Sequence, residues 1–149
     1  MSKFEITEFI NLGELKAFAA SLGPQTLRNY DHFNTGSLYQ WFCVRDGDKQ
    51  LAYGFLRRSS HPRKTHLLVL GMVVADECQD KGIGTKLGEY MIQWAKTCGY
   101  KKIALGVYAD NGMAIIFYRK LGFDQQRLLN KEELEDGKYR HLFSMAMYL

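Results

Sequence analysis

Two glycines one residue apart, Gly82 and Gly84, stand where a helical pattern begins, with Lys81 and Lys86 close by. Glycine is about 1 kcal/mol less favourable than alanine inside a helix, so a pair at this point needs a reason. The free N–H groups and the dipole of a helix's first turn attract anions, and glycine lets a phosphate approach the backbone closely. The stretch therefore indicates either a phosphate-binding turn or a strand-to-helix connection that needs a positive φ angle.

Two common nucleotide-binding motifs do not fit this stretch. A Walker A loop requires Gly-x4-Gly-Lys-Ser/Thr, whereas "GIGTK" at 82–86 has another length and order. A dinucleotide-binding loop requires Gly-x-Gly-x-x-Gly in the first βαβ unit, but Gly88 falls one residue late and the turn lies in mid-chain. Both classes are therefore set aside.

The composition is that of one globular domain spanning residues 1–149, with 46% hydrophobic and 24% charged residues. A formal net charge of +4 without a dense basic stripe suits a small anionic ligand, and no nucleic-acid partner is expected. The start of the chain lacks the apolar core of a signal peptide and no apolar run could span a bilayer, so we expect a cytoplasmic protein without a membrane partner. The scattered histidines and cysteines predict no metal site.

The hydrophobic pattern predicts the elements that position the glycines. Strands are expected at 3–10, in a hairpin at 37–59, at 65–76, at 101–109 and at 139–149, and helices at 13–23, 25–33, 83–98 and 111–122. Gly71 inside the apolar strand indicates a bulge or bend. Residues 129–141 are interpreted as a loop. This order describes a mixed α/β domain with one sheet and helices on its faces.

The block from 67 to 123 resembles the GNAT superfamily of acyl-CoA-dependent N-acetyltransferases. The family pattern Gln/Arg-x-x-Gly-x-Gly/Ala is matched by Gln79, Gly82 and Gly84. A second family segment is matched further on by Asn111, Ala114, Phe117, Tyr118, Gly122 and Phe123. The resemblance implies a single-domain α/β fold whose mixed, mostly antiparallel central sheet has a splay between two central strands, with helices on both faces.

The resemblance also implies the parts of an acetyl-CoA site. Backbone N–H groups would hold the pyrophosphate of CoA along Gln79, Asp80, Lys81, Gly82, Ile83, Gly84 and Thr85. The backbone of Met72, Val73 and Val74 would pair with the pantetheine arm in a splay near Gly71, and Asn111 would contact the same arm. No metal is required.

The implied reaction is direct transfer of acetyl from acetyl-CoA to a primary amine. Tyr118, a phenol with an ordinary pKa of about 10, would protonate the departing thiolate. The N–H of Val73 would stabilise the oxyanion. The general base stays open: His66 could reach in, or the proton could leave to water or through Tyr53 and Tyr108 as relays.

Three functions stay open from the sequence. The first is acetylation of a small-molecule amine, and the second is acetylation of a protein N-terminus or lysine. The third is a non-catalytic acyl-CoA sensor or interaction module. Residues 25–36 and 129–141 are expected to line the acceptor site, and a homodimer is the default expectation for the family.

Overall fold

The structure is a computed structural model that describes residues 4–8, 17, 39–59, 61–75, 78, 82–133 and 139–149. Within these residues the chain forms seven strands, two α-helices and one short 3-10 helix. The strands are β1 (Glu5–Thr7), β2 (Tyr39–Asp46), β3 (Lys49–Arg58), β4 (Leu67–Val74), β5 (Lys102–Tyr108), β6 (Asp124–Glu133) and β7 (Tyr139–Tyr148). The helices are α1 (Ile83–Thr97) and α2 (Gly112–Leu121), and the 3-10 turn is Pro62–Lys64.

All seven strands belong to one sheet in the order β1-β2-β3-β4-β5-β7-β6. Every neighbouring pair is antiparallel except β4 and β5, which are parallel because α1 carries the chain back between them. The β2–β3 hairpin turns at Gly47, whose φ is +61°. The expected mixed, mostly antiparallel sheet and the hairpin are confirmed.

Helix α1 packs on one face of the sheet through the apolar stripe that its spacing predicted. Ile83, Leu87, Met91 and Ala95 recur every four residues and are all buried. The helix lies close to β3 because Gly54 has no side chain: a Cβ there would be 2.8 Å from Met91 Sδ. Through these contacts α1 packs directly against the central strands of the sheet.

Helix α2 packs against the same hydrophobic core, through Ala114, Ile115, Tyr118 and Leu121. Both described helices therefore share one face of the sheet. The helices predicted at 13–23 and 25–33 fall almost entirely outside the described residues, so helices on the second face stay a prediction. Neither α1 nor α2 is both long and apolar enough to cross a membrane.

Two predictions about the sheet are wrong. β6 was not predicted, and residues 129–133 belong to it although they were interpreted as part of a loop, whereas the strand predicted at 139–149 is confirmed as β7. The sequence "DQQRLLNKEE" of β6 has no alternation, and the strand exists because it pairs along β7 at the sheet edge. Of the bulge or bend expected at Gly71, the bulge is absent, since the β3–β4 register runs without a shift from Ala52↔Val74 to Arg58↔Leu68.

Candidate active site

The two central parallel strands separate partway along their length. β4 and β5 pair only through Leu67–Val69 and Lys102–Ala104. β4 then continues to Val74 and β5 to Tyr108, each still paired with its other neighbour. The splay expected near Gly71 is therefore confirmed, and it begins directly after Val69.

Hydrogen bonds at the two ends of β4 show which way its peptide groups point. The carbonyl of His66 accepts hydrogen bonds from the N–H groups of Lys101 and Lys102, at 3.0 and 3.3 Å, where β5 begins. At the other end, the N–H of Ala75 donates to the carbonyl of Leu51 on β3 at 2.9 Å. Because the direction of backbone groups alternates along a strand, the even-numbered residues of β4 point towards β5 and the odd-numbered ones towards β3.

Met72 and Val73 therefore face different neighbours. The peptide groups of Met72 point across the splay, where β5 no longer pairs with β4. Those of Val73 point towards β3, where Val73 is in register with Tyr53. A ligand arm lying in the splay would meet the backbone of Met72, and of Val74 beyond it. This geometry favours Met72 over Val73 as the donor to an oxyanion, because the N–H of Val73 is directed away from the splay.

The N-terminus of α1 has the features of an anion site. Gly82 is the N-cap, with φ of +77°, and a Cβ built on it would meet nothing within 4 Å. The first helical hydrogen bond runs from the N–H of Lys86 to the carbonyl of Gly82 at 3.0 Å. The N–H groups of Ile83, Gly84 and Thr85 thus precede the first helical donor, and no acidic residue lies in this turn.

Gly84 is both part of this turn and a packing residue. A Cβ on it would lie 3.4 Å from Val74 Cγ2 and 3.4 Å from the ring of Phe117 on α2. The first turn of α1 therefore contacts the end of the splayed strand, which brings the anion site next to the splay. Gln79, Asp80 and Lys81, which were expected to continue the phosphate contact, lie outside the described residues.

Helix α2 brings Tyr118 and Asn111 to the same side of the sheet. Asn111 is the N-cap, and its Oδ1 accepts a hydrogen bond from the N–H of Ala114 at 3.2 Å. Tyr118 is half-buried, with its ring centroid 5.2 Å from that of Phe117 and 5.9 Å from that of Phe123. The helix ends at Gly122 as predicted, with φ of +113°. The expected ligand contacts of Asn111 and Tyr118 stay predictions.

The candidates for a general base differ in their position relative to the splay. His66 is exposed and precedes β4, six residues before Met72, which is about 20 Å along an extended strand. Tyr53 is buried beside Val73, and Tyr108 ends β5 in the splayed region. His66 is thus held at the paired end of β4, away from the opening. The described part of the chain contains no group of three or more His, Cys, Asp or Glu side chains that could hold a metal ion.

Sequence reasoning missed two features of this site. The direction of the Met72 peptide groups depends on how β4 pairs, which only the register of both neighbours reveals. The second is Gly88, whose buried position on α1 faces Leu121 of α2. The sequence did contain a signal for close packing at Gly88, because Gly84 and Gly88 are four residues apart and so lie on one face of a helix.

Comparisons with known proteins agree with this geometry. The model of the "Acetyltransferase (GNAT) family" matches residues 8–123. The chain is 30% identical over 89 residues to L-amino acid N-acetyltransferase AaaT of Escherichia coli, an alignment covering 57% of this chain and 53% of that protein. The chain thus spans about half the length of this curated relative.

Solved structures share the fold over nearly the whole chain. The ribosomal-protein-S18-alanine N-acetyltransferase from Escherichia coli has a TM-score of 0.80 at 22% identity, covering 98% of this chain and 94% of that one. A Salmonella typhimurium structure solved with its cofactor acetyl-CoA has a TM-score of 0.79 at 18% identity, again covering 98% and 94%. Since the family model extends through the splay, the glycine turn and helix α2, this chain belongs to the acetyltransferase (GNAT) family.

Proposed function

We propose that the protein is an N-acetyltransferase that moves the acetyl group of acetyl-CoA directly to a primary amine, most simply that of a small molecule. The observation that carries this proposal is the splay between β4 and β5, whose end contacts the first turn of α1. An extended pantetheine arm can pair with the peptide groups that line such an opening. The free N–H groups of Ile83, Gly84 and Thr85 suit a pyrophosphate.

Met72 has the backbone direction needed to act on the reacting carbonyl. When an unprotonated amine adds to the thioester carbon, the carbonyl oxygen becomes an oxyanion, and the N–H of Met72 would stabilise it. The new C–N bond forms and the C–S bond breaks. Val73 supports the same strand through β3 without reaching into the splay.

Tyr118 is the proposed acid for the departing sulfur. Its phenol would give a proton to the thiolate of CoA and regain one from solvent, while the amine nitrogen loses a proton to water. The apolar packing of its ring against Phe117 and Phe123 would hold the hydroxyl in one place. Tyr53, in register with Val73 on the neighbouring strand, and Tyr108, at the end of β5, are the residues through which the amine's proton could pass to water.

One observation supports a small-molecule acceptor. On the sheet face opposite α1, the rings of Tyr39, Trp41 and Phe55 form a cluster, with centroids between 5.2 and 5.8 Å apart. Phe55 is in register with Gly71 and half-buried, so the cluster borders the splayed strand. Aromatic faces attract ammonium groups, which suits delivery of a compact cationic amine. The relatives named above act on an L-amino acid and on a ribosomal protein, so the acceptor class needs experiment.

The test is release of free thiol from acetyl-CoA with a panel of amines: polyamines, amino acids, amino sugars, aminoglycosides and short peptides. We expect turnover with one class of small amine. For the best amine, Tyr118→Phe should lower kcat by roughly 10²-fold, the lower end of general acid catalysis. Tyr148→Phe is the matched control, since Tyr148 is 71% exposed at the paired end of β5 and should leave kcat unchanged.

The outcomes separate the alternatives. Turnover only with peptides would identify a protein acetyltransferase. Calorimetric binding of CoA without turnover of any amine in the panel would overturn the enzymatic proposal in favour of an acyl-CoA sensor. Equal kcat in Tyr118→Phe and in the wild type would remove Tyr118 from the chemistry while leaving the transferase activity in place.

A further inference from the structure

Helices α1 and α2 meet along a line of two glycines. Gly84 and Gly88 are one helical turn apart on α1, and Phe117 and Leu121 are one turn apart on α2. A Cβ on Gly84 would lie 3.4 Å from the ring of Phe117, and a Cβ on Gly88 would lie 2.7 Å from Leu121 Cδ1. We call these four residues the glycine seam.

Gly88 is the tight point of the seam. A separation of 3.4 Å, as at Gly84, is an ordinary contact, whereas at 2.7 Å the end of the Leu121 side chain would have to move to make room for a Cβ at position 88. Gly88 is buried in the middle of α1, where glycine is a weak helix former and has no turn to make. Its presence is explained by Leu121, which occupies the space that a side chain at position 88 would fill.

The four residues of the glycine seam lie where α1 and α2 meet, and α2 carries Tyr118. Tyr118 directly follows the seam residue Phe117 in the chain, and the two rings pack against each other. The first turn of α1, which includes Gly84, contacts Val74 at the end of the splay. A displacement of α2 away from α1 would therefore move the Tyr118 hydroxyl relative to the splay while the first turn of α1 stays in place.

We propose that Gly88 is a positioning residue: by letting Leu121 sit against α1, it fixes the distance of the Tyr118 hydroxyl from the thioester sulfur. This inference rests on the proposed role of Tyr118 in acetyl transfer. Gly88 itself would touch neither substrate. Its effect on the reaction passes through α2 alone.

The test is Gly88→Ala, assayed with acetyl-CoA and the best amine of the panel. Because a misplacement of about 1 Å in an active site costs up to about 10²-fold in rate, we expect kcat to fall by about 10-fold to 100-fold. KM for acetyl-CoA and the calorimetric Kd for CoA should change less than about twofold, a difference of under about 0.4 kcal/mol in binding. Leu121→Ala in the Gly88→Ala background removes the overlap and should restore most of kcat.

A double-mutant comparison distinguishes positioning from a general loss of structure. In a Tyr118→Phe background there is no hydroxyl to misplace, so adding Gly88→Ala should lower kcat by less than about twofold further. A second readout needs no turnover. CoA binding should change the ultraviolet spectrum of tyrosine, and the part of this change that is lost in Tyr118→Phe belongs to Tyr118. That part should be smaller in Gly88→Ala than in the wild type. Gly112→Ala is the stability control, because a Cβ at Gly112 would meet nothing within 4 Å.

The following outcomes would overturn the positioning role of Gly88. Equal losses of kcat from Gly88→Ala with and without the Tyr118 hydroxyl would overturn the positioning role, as would a folded Gly88→Ala with wild-type kcat. If Gly88→Ala does not fold, Leu121→Val, which shortens the side chain on the other side of the seam, takes its place in the same cycle. If Tyr118→Phe alone has wild-type kcat, the proposed acid fails first and the positioning role fails with it.

Discussion

The ring of Phe55 lies across Gly71 of the neighbouring strand: a Cβ on Gly71 would be 2.5 Å from Phe55 Cε1. The two residues are in register between β3 and β4, at the point where β4 leaves β5. Glycine is therefore present because an aromatic ring covers it, and the strand stays regular. The ring closes the sheet face opposite α1 beside the splay.

Gly71→Ala should lower the free energy of unfolding by about 1–3 kcal/mol, the usual effect of adding a methyl group where the space is already filled. The methyl group would have to displace the Phe55 ring, which also contacts Trp41 at a centroid distance of 5.2 Å. Urea denaturation of the wild type and the variant measures the difference. Phe55→Leu should reduce the penalty of Gly71→Ala, whereas equal stability of Gly71→Ala and the wild type would show that the ring moves without cost.

Gly82→Glu should abolish measurable CoA binding while leaving the fold intact. The new carboxylate would stand in the open space at the start of α1, where repulsion of the pyrophosphate by a like charge costs several kcal/mol, which corresponds to about 10²-fold or more in Kd. Isothermal titration with CoA measures this. Unchanged affinity in a folded Gly82→Glu variant contradicts a phosphate site at this turn.

Gly47→Glu is the matched control for Gly82→Glu. Gly47 also has a positive φ, +61°, and a Cβ on it would also meet nothing within 4 Å. It lies in the β2–β3 turn, at a different place from the N-terminus of α1. Both substitutions should cost about 1–2 kcal/mol of backbone strain, and only the one at Gly82 should affect CoA.

Much of the fold could be predicted because the sequence patterns that indicate its elements are local. The stripe from Ile83 to Ala95 identified α1 and its buried face, and the aromatic strands around Gly47 identified the hairpin. The splay and the glycine turn followed from resemblance to a family. The helix, the hairpin and the glycine turn depend on residues close together in the chain, whereas the splay lies between two strands that α1 separates in the chain and was expected only from the resemblance.

The remainder depends on partners distant in the chain. β6 exists because β7 pairs with it, although "DQQRLLNKEE" alone has no strand pattern. The choice of Met72 over Val73 follows from the bonds made by His66 and Ala75, which fix the direction of every peptide group between them. The reason for Gly88 is a leucine on the next helix. No pattern within a single element contains this information.

Substitutions at Asn111 should separate its role as a helix cap from a role in ligand binding. Asn111→Ala removes the acceptor that caps the N–H of Ala114 and should lower the free energy of unfolding by about 1 kcal/mol. Asn111→Asp keeps an acceptor at this position, so stability should be close to that of the wild type. If the side-chain amide also donates to the pantetheine arm, Asn111→Asp should weaken CoA binding in calorimetry. Wild-type affinity in Asn111→Asp would leave capping as the side chain's function.

Tyr90 connects α1 to the segment that follows β1, and this contact gives a pH-dependent contribution to stability. Its hydroxyl donates a hydrogen bond to Glu8 Oε1 at 2.8 Å, and Gln40 Nε2 donates to the carbonyl of Glu8 at 2.9 Å. Three causes raise the pKa of Tyr90: the hydrogen bond to Glu8 has the largest effect, and burial and the negative charge of Glu8 come after it. The protonated phenol is therefore the form that the fold favours.

A raised pKa in the folded state means that the stabilisation is fully present below the unfolded pKa, about 10, and is lost as the pH rises through the higher folded value. The difference in unfolding free energy between the wild type and Tyr90→Phe should thus stay constant from about pH 7 to 9 and fall at higher pH. Glu8→Gln should lower the pKa of Tyr90. The pKa is measured from the absorbance of the phenolate during a pH titration, and the part of that signal that is lost in Tyr90→Phe belongs to Tyr90. An unchanged Tyr90 pKa in Glu8→Gln would show that the carboxylate does not hold the phenolic proton.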